Sequence, residues 1–402
     1  MTVSEARWNE LFARSVGSGA GDEITLILSQ AGDDRIIAFS GGYPHPETFP
    51  RAAMEAAFSG VLADPAALQY GPTAGLPGLR DWFAGWLGEH DGLRPSDSEL
   101  IITSGGMEGL KLLTGCLLDP GDRVLVEGPS FMGAIMAIQN AMGVIEAVPM
   151  DEDGLDVDAL ARTLAGGRKP KFLYTIPDYQ NPMGVSLSVE RRHALVALAR
   201  KHGLLLVEDV AYRELGYDGD RRPSLRTLAP DVVAQLGTFS KTFSPGLRTG
   251  WISAPAPLVA ALSRAKQFTD QCTSPLGQLL LEDYGRSGGF DEGIITSRAF
   301  YRGRCEIMTK ALEAYLPETV RFTRPRGGFF TWLTLPGEVD TLTLAERALA
   351  EHITFVPGSI FYPDDRGRHE LRLAFSRVPG EQIEEGVGRL ARILAEITGK
   401  GL

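Results

Sequence analysis

The residues best suited to chemistry stand in one run, Gly237-Thr238-Phe239-Ser240-Lys241-Thr242-Phe243-Ser244-Pro245-Gly246-Leu247-Arg248. A lysine is framed there by hydroxyls and followed seven residues on by an arginine. An amine that forms a Schiff base with a carbonyl must be available in its neutral form, while a neighbouring phosphate dianion asks for hydroxyl donors and a permanent cation. Lys241 meets the first need; Thr238, Ser240 and Arg248 meet the second. The alternative for the run taken alone is an exposed Lys-Arg turn, so its meaning rests on what accompanies it.

The run resembles the lysine signature of the class I/II aminotransferases, pyridoxal 5′-phosphate enzymes of fold type I. The resemblance extends from about Phe39 to Arg377 and is nearest the branch of 2-aminoadipate aminotransferases and the aminotransferase-like half of certain bacterial regulators. Such chemistry needs an imine lysine, a carboxylate for the pyridine nitrogen, donors at the ring oxygen, a phosphate cradle and an anchor for the substrate carboxylate. Val207-Glu208-Asp209-Val210-Ala211-Tyr212 resembles the family's Asp-x-x-Tyr element, which implies Asp209 at the ring nitrogen and Tyr212 at the ring oxygen. Pro177-Asp178-Tyr179-Gln180-Asn181-Pro182-Met183-Gly184 resembles its Asn-Pro-Thr-Gly motif, with Met183 in place of threonine, and implies Asn181 at the same oxygen. Gly106, Met107 and Glu108 match the phosphate-binding turn, where a helix N-terminus presents N–H groups to an anion. Phe131, in Gly128-Pro129-Ser130-Phe131, matches the aromatic that stacks on the pyridine face, keeping the ring and lacking the usual hydroxyl. Tyr70, in Gln69-Tyr70-Gly71-Pro72, matches a phenol that reaches the phosphate of a neighbouring subunit. Arg372, in Glu370-Leu371-Arg372-Leu373, matches the arginine that grips the substrate α-carboxylate, a planar bidentate task. Gly42 and Tyr43 match the Gly-Gly loop at the mouth of the site.

These residues need elements to hold them. From Glu99 to Ile252, short apolar runs alternate with helical patterns: Leu100-Ile101-Ile102, Val124-Leu125-Val126, Phe172-Leu173-Tyr174, Leu204-Leu205-Leu206-Val207 and Val232-Val233. That alternation predicts a mostly parallel sheet covered on both faces. Ser188 reads as an N-cap, Glu190 suits the first turn, Arg200-Lys201 suit the last, and Gly203 closes the helix. Leu195, Leu198 and Ala199 face the sheet in this reading, and His193 is solvated. The next strand ends at Glu208-Asp209, where open α/β sheets place their chemistry. The expected class is α/β, with the fold type I three-layer large domain around a mostly parallel seven-stranded sheet and a smaller α+β domain. Residues 51–290 form the large domain and 291–402 the small one in this reading, with 1–50 joining the small domain. A strand over Phe329–Leu333 and a final helix from Gln382 to Thr398 belong to the latter.

Composition narrows the rest. The 402 residues are 44% hydrophobic and 23% charged, an ordinary globular balance. A formal charge of −11 without Lys/Arg runs excludes an electrostatic nucleic-acid surface. The uncharged stretch from Phe131 to Ile145 is interrupted by Gln139 and Asn140 and is too short for a bilayer, and the first residues lack the apolar core of a signal peptide. Cys116, Cys272 and Cys305 are widely spaced and lack metal-ligand spacing, so no metal is expected and reduced thiols of a cytoplasmic protein are. The Gly17–Gly21 segment follows no strand and reads as a loop.

The function implied by the resemblance is ping-pong amino transfer between an L-amino acid and a 2-oxo acid, with Lys241 as tether and general base, in a homodimer whose Tyr70 completes the partner's site. Alternatives on the same fold are a lyase, a carbon–carbon bond-forming enzyme, or a non-catalytic cofactor sensor. Thr25 falls where the aminoadipate-like branch often carries an arginine for an acidic side chain, which favours neutral or unusual substrates, with Arg14 or Arg35 as possible substitutes.

Overall fold

The computed structural model of the protein describes Trp8 and residues 11–15, 35–337 and 339–399. Thr25 and the Gly17–Gly21 segment lie outside these residues. Two sheets with separate cores organise the chain. A two-residue strand β1 (Ile37–Ala38) precedes the large sheet, whose strands are β2 (Leu100–Thr103), β3 (Arg123–Gly128), β4 (Val144–Asp151), β5 (Gly154–Leu155), β6 (Phe172–Thr175), β7 (Leu205–Asp209), β8 (Val233–Thr238) and β9 (Gly250–Ser253). Their spatial order is β2-β9-β8-β7-β6-β3-β4-β5. The β8–β7, β7–β6, β6–β3 and β3–β4 pairs are parallel, and β9 runs antiparallel to both neighbours. Seven strands form the expected mostly parallel sheet; β5, a two-residue return after β4, adds an eighth at the edge.

The sheet is covered on both faces because its strands alternate apolar side chains between two cores. Val124 and Val126 pack beneath the helices Gly106–Leu117 and Met132–Asn140, while Leu125 between them packs with Leu195 and Ala199 of the helix Val189–His202. That last helix follows its sequence closely: the Ser188 side chain accepts from the Arg191 N–H, Gly203 at φ 59° closes it, and His193 is exposed. Every parallel strand delivers its carboxyl end to one side, so Gly128, Thr175, Asp209 and Thr238 lie along a common rim.

The second sheet is antiparallel, in the order β10 (Arg321–Phe322), β11 (Phe330–Thr334), β14 (Glu370–Ala374), β13 (Val356–Pro357). Its core is closed by the helices Gly289–Tyr315, Thr341–Ala350 and Gly380–Thr398. β1 pairs in parallel with β12 (Ile353–Thr354), and Phe39 is fully buried in the same core. The Ala374 N–H donates to the Phe39 carbonyl at 2.8 Å, which draws residues 39–43 along β14 toward the rim of the large sheet.

Candidate active site

The site forms where β14 of the second sheet reaches the loop after β6 through Arg372 and Asn181. Lys241 follows β8 and donates from Nζ to the Gly42 carbonyl at 2.9 Å. Its ammonium lies 5.8 Å from the centroid of the Tyr212 ring and 5.7 Å from that of Phe329. Burial pushes the amine down to about 8; Arg372 and Arg248 repel its charge, and Asp209 partly offsets them. The lysine thereby gives up its proton more readily than an ordinary lysine, toward the neutral form that nucleophilic and basic chemistry requires.

Asp209 ends β7 and is buried. Its Oδ2 accepts from the Tyr174 hydroxyl at 2.7 Å and its Oδ1 from the Ala211 N–H at 3.0 Å. Burial nonetheless raises the carboxyl above its ordinary range, against these two hydrogen bonds and the Lys241 charge. A buried carboxylate in this state has a strong preference for a cationic partner. Tyr212, three residues on, is buried against Phe329 and Phe330, and its hydroxyl is hydrogen-bonded by Asn181.

Asn181 belongs to the loop after β6, and this loop is fixed by charge. Asp178 is buried between Arg192, at 2.5 Å, and Arg213, at 2.8 Å, and the two guanidiniums hold its carboxyl below the ordinary range despite burial. Gln180 donates to Glu127 Oε2 at 3.1 Å and accepts from the Met183 N–H at 2.8 Å. Met183 therefore leaves the loop intact, since the Asn181 amide makes the contacts. Asn181 Oδ1 accepts from Arg372 Nη1 at 2.8 Å, and Arg372 Nη2 donates to the Ser40 carbonyl at 2.7 Å. The guanidinium lies between Phe330 and Phe361, with centroids at 4.3 and 5.0 Å, and burial lowers it to about 10. Its Nε is buried with no hydrogen-bond partner.

A second group gathers where the helix Gly106–Leu117 starts after Gly105, whose φ is 86°. A Cβ on Gly105 would sit 2.3 Å from Arg248 Nη2, so the guanidinium lies directly against this turn. Arg248 Nη1 reaches Ser240 Oγ at 3.4 Å, and Thr238 Oγ1 donates to Ser240 Oγ at 2.9 Å. Two hydroxyls, a guanidinium and a helix N-terminus thus lie together, a set of donors whose chemistry suits an anion. The Phe131 ring and the Met107 sulfur both crowd Gly133 beside it.

Thus Lys241, Asp209, Tyr212, Asn181, Arg372 and Gly42 form one group, and Gly106, Thr238, Ser240 and Arg248 a second at the start of the helix Gly106–Leu117. Three residues carry a different emphasis from the sequence reading. The Glu108 carboxylate turns to Lys266 at 2.8 Å, which leaves only its backbone N–H for the turn. The Tyr70 side chain is in solvent, with the residue 74% exposed. Tyr43 is partly exposed, and its carbonyl accepts from Ser376 Oγ at 2.7 Å.

Sequence reasoning missed Tyr174, Glu127, Asp178, Arg192 and the Phe330–Phe361 pair. Glu127, pushed up to about 7 by burial, follows the apolar run of a strand covered on both faces, and a charge there was a usable signal. Arg192 shares helical spacing with Leu195 and Ala199 and so had to be buried.

The chain matches the family model for aminotransferase class I and II over residues 34–390. It is 39% identical over 393 residues to a 2-aminoadipate transaminase of Thermus thermophilus, covering 96% of this chain and 97% of that protein. It is 36% identical over 396 residues to an aromatic-amino-acid aminotransferase of Thermococcus litoralis, covering 97% and 95%. Among solved structures it is similar to a multiple substrate aminotransferase of Thermococcus profundus, with a TM-score of 0.93, 36% identity and coverage of 98% and 100%. A Thermus thermophilus α-aminoadipate aminotransferase complexed with N-(5′-phosphopyridoxyl)-L-leucine gives a TM-score of 0.90 at 38% identity, with coverage of 98% and 99%.

Proposed function

Because this chain belongs to the class I and class II aminotransferases, and so moves an amino group between an amino acid and a 2-oxo acid with pyridoxal 5′-phosphate, we propose that the cleft around Lys241 holds that cofactor and both substrates. The observation that carries the assignment is the placing of Lys241 after β8, its Nζ donating to the Gly42 carbonyl at 2.9 Å and lying 5.8 Å from the Tyr212 ring centroid. The lyase, bond-forming and sensor alternatives give way to amino transfer.

The residues fit the cofactor. The seat of Thr238, Ser240, Arg248 and the Gly106–Glu108 N–H groups has the donors a phosphate needs, Asp209 offers a buried carboxylate for a pyridine nitrogen, and Phe131 offers a ring face. When bound, the cofactor supplies a carbonyl that takes up the amino group and a ring that accepts the electron pair left by the α-proton. Lys241 Nζ, largely neutral above pH 8, takes and returns that proton. Asp209 keeps the ring nitrogen protonated by charge pairing, and Asn181 and Tyr212 orient the ring oxygen. Arg372 binds the substrate α-carboxylate through the N–H groups that Asn181 and Ser40 leave free, the unpartnered Nε–H among them.

The rings of Phe330 and Phe361 beside Arg372 favour donors with neutral, apolar or aromatic side chains. Tyr70, too exposed to serve its own cleft, completes the cleft of a second copy in a homodimer. The protein works in the cytoplasm in this reading: all three cysteines are free, and no described helix is long and apolar enough to cross a membrane. Incubating purified, cofactor-loaded protein with a panel of amino acids and identifying products by mass spectrometry tests the function. Release of the matching 2-oxo acid supports it; amine, alkene or condensed products contradict it.

A further inference from the structure

The turn that faces the phosphate seat is held from behind. The Ser104 N–H donates to Glu108 Oε2 at 2.5 Å, and Ser104 Oγ donates to Asp270 Oδ2 at 2.5 Å and lies 3.2 Å from the Thr273 hydroxyl. Both carboxylates share one lysine: Lys266 Nζ donates to Glu108 Oε2 at 2.8 Å and to the Asp270 oxygens at 2.8 and 2.7 Å. Lys266 is fully buried, and the Glu108 side chain is 8% exposed. Burial raises the Glu108 carboxyl, with Lys266 the principal cation opposing that rise. The backbone after Lys266 reinforces the arrangement, because the N–H groups of Thr269, Asp270 and Gln271 all return to its carbonyl.

This geometry sets two carboxylates beside a place where another anion must sit. Ser104 immediately precedes Gly105 and Gly106, so clamping its N–H and Oγ fixes the turn whose N–H groups face the seat. The carboxylates supply that clamp, yet in low dielectric their charge opposes a dianion close by. One buried ammonium shared between them removes the conflict.

We propose that Lys266 is a positioning residue for the phosphate end of the cofactor site: it neutralises Glu108 and Asp270 so that both can hold Ser104 without repelling the phosphate. The inference rests on the assignment of the Gly106–Glu108 turn and Arg248 as the phosphate seat. Lys266 touches neither cofactor nor substrate in this account. Its effect therefore falls on phosphate recognition rather than on ring or substrate binding.

The test compares equilibrium binding of pyridoxal 5′-phosphate and of pyridoxal, which lacks the phosphate, to cofactor-free protein by absorbance titration. Lys266→Met is expected to weaken the phosphorylated ligand by at least about tenfold, the scale of one charge-assisted hydrogen bond, while pyridoxal changes by less than about threefold. Lys266→Arg keeps the cation and holds both constants within about threefold. The double variant Lys266→Met with Glu108→Gln removes one opposing charge together with the lysine and recovers most of the phosphate preference. Equal weakening of both ligands by Lys266→Met, or no weakening of either, overturns the proposal. Should that variant not fold, the double variant decides: retained preference supports the charge account, and a preference lost tenfold overturns it. Arg248→Met separates the two levels. If it leaves the phosphate preference unchanged, the seat itself is wrongly assigned; if it abolishes the preference while Lys266→Met does not, only the role of Lys266 fails.

Discussion

Arg372 Nη1 and Asn181 Oδ1 are joined by a 2.8 Å hydrogen bond that crosses from the antiparallel sheet to the loop after β6. This bond fixes the face of the amide, so that Asn181 accepts from the arginine and meets the Tyr212 hydroxyl with the rest of its hydrogen-bonding capacity. The proposed substrate anchor and the proposed ring-oxygen donors are therefore one connected unit, and a change at the arginine reaches both.

Arg372→Lys keeps the charge and loses the fork. The KM for the amino donor is expected to rise by about a hundredfold, with a smaller fall in kcat, because a point-like ammonium cannot serve Asn181, Ser40 and a carboxylate together. Steady-state kinetics with the best donor of the panel checks this; an unchanged KM contradicts the anchoring role.

Lys241 makes the cofactor-free protein sensitive to alkali in an unusual direction. Its folded pKa of about 8 lies below the ordinary 10.5, so between these values the unfolded chain holds a proton that the folded chain lacks. Stability from this group consequently rises with pH across that window, and the full penalty applies below it. Lys241→Met should stabilise the cofactor-free protein at neutral pH by up to about 3 kcal/mol, at about 1.4 kcal/mol per pKa unit. The gain should shrink through the window. Denaturant unfolding at a series of pH values reads it, and a constant difference would contradict the depressed amine.

Asp178→Asn breaks a buried cluster and leaves Arg192 without its carboxylate. A loss of about 3–5 kcal/mol is expected, as for other buried ion pairs deprived of one partner. The wild-type carboxyl is held below its ordinary 3.8, so its contribution is full above that value and is lost as pH falls through the folded pKa. The difference between variant and wild type should therefore narrow in acid.

Tyr174→Phe removes the hydroxyl that donates to Asp209 at 2.7 Å. The carboxyl should rise further and pair less well with a protonated ring, which lowers kcat/KM by about tenfold while the substrate KM barely moves. An unaltered kcat would separate Tyr174 from the chemistry.

The sequence made these elements legible to different degrees, for physical reasons. β2, β3, β6 and β7 are buried on both faces and so appear as unbroken apolar runs, and the helix Val189–His202 carries its own start and stop in Ser188 and Gly203. β4 lies near the edge with exposed residues on both faces, and β9 begins at a glycine, so neither stands out as an apolar run. The proposed reacting groups were readable because their chemistry demands particular residue types at strand ends. Their supports were not: Asp178, Tyr174 and Lys266 act through partners 14, 35 and 158 residues away, and only the folded chain brings those together.

The central claim is that Lys241 is the residue that carries the cofactor. Borohydride reduction of the cofactor-loaded protein, followed by proteolysis and mass spectrometry, measures it directly. The expected result is a single pyridoxyl group on Lys241; a modified lysine elsewhere, or none in fully loaded protein, contradicts the account.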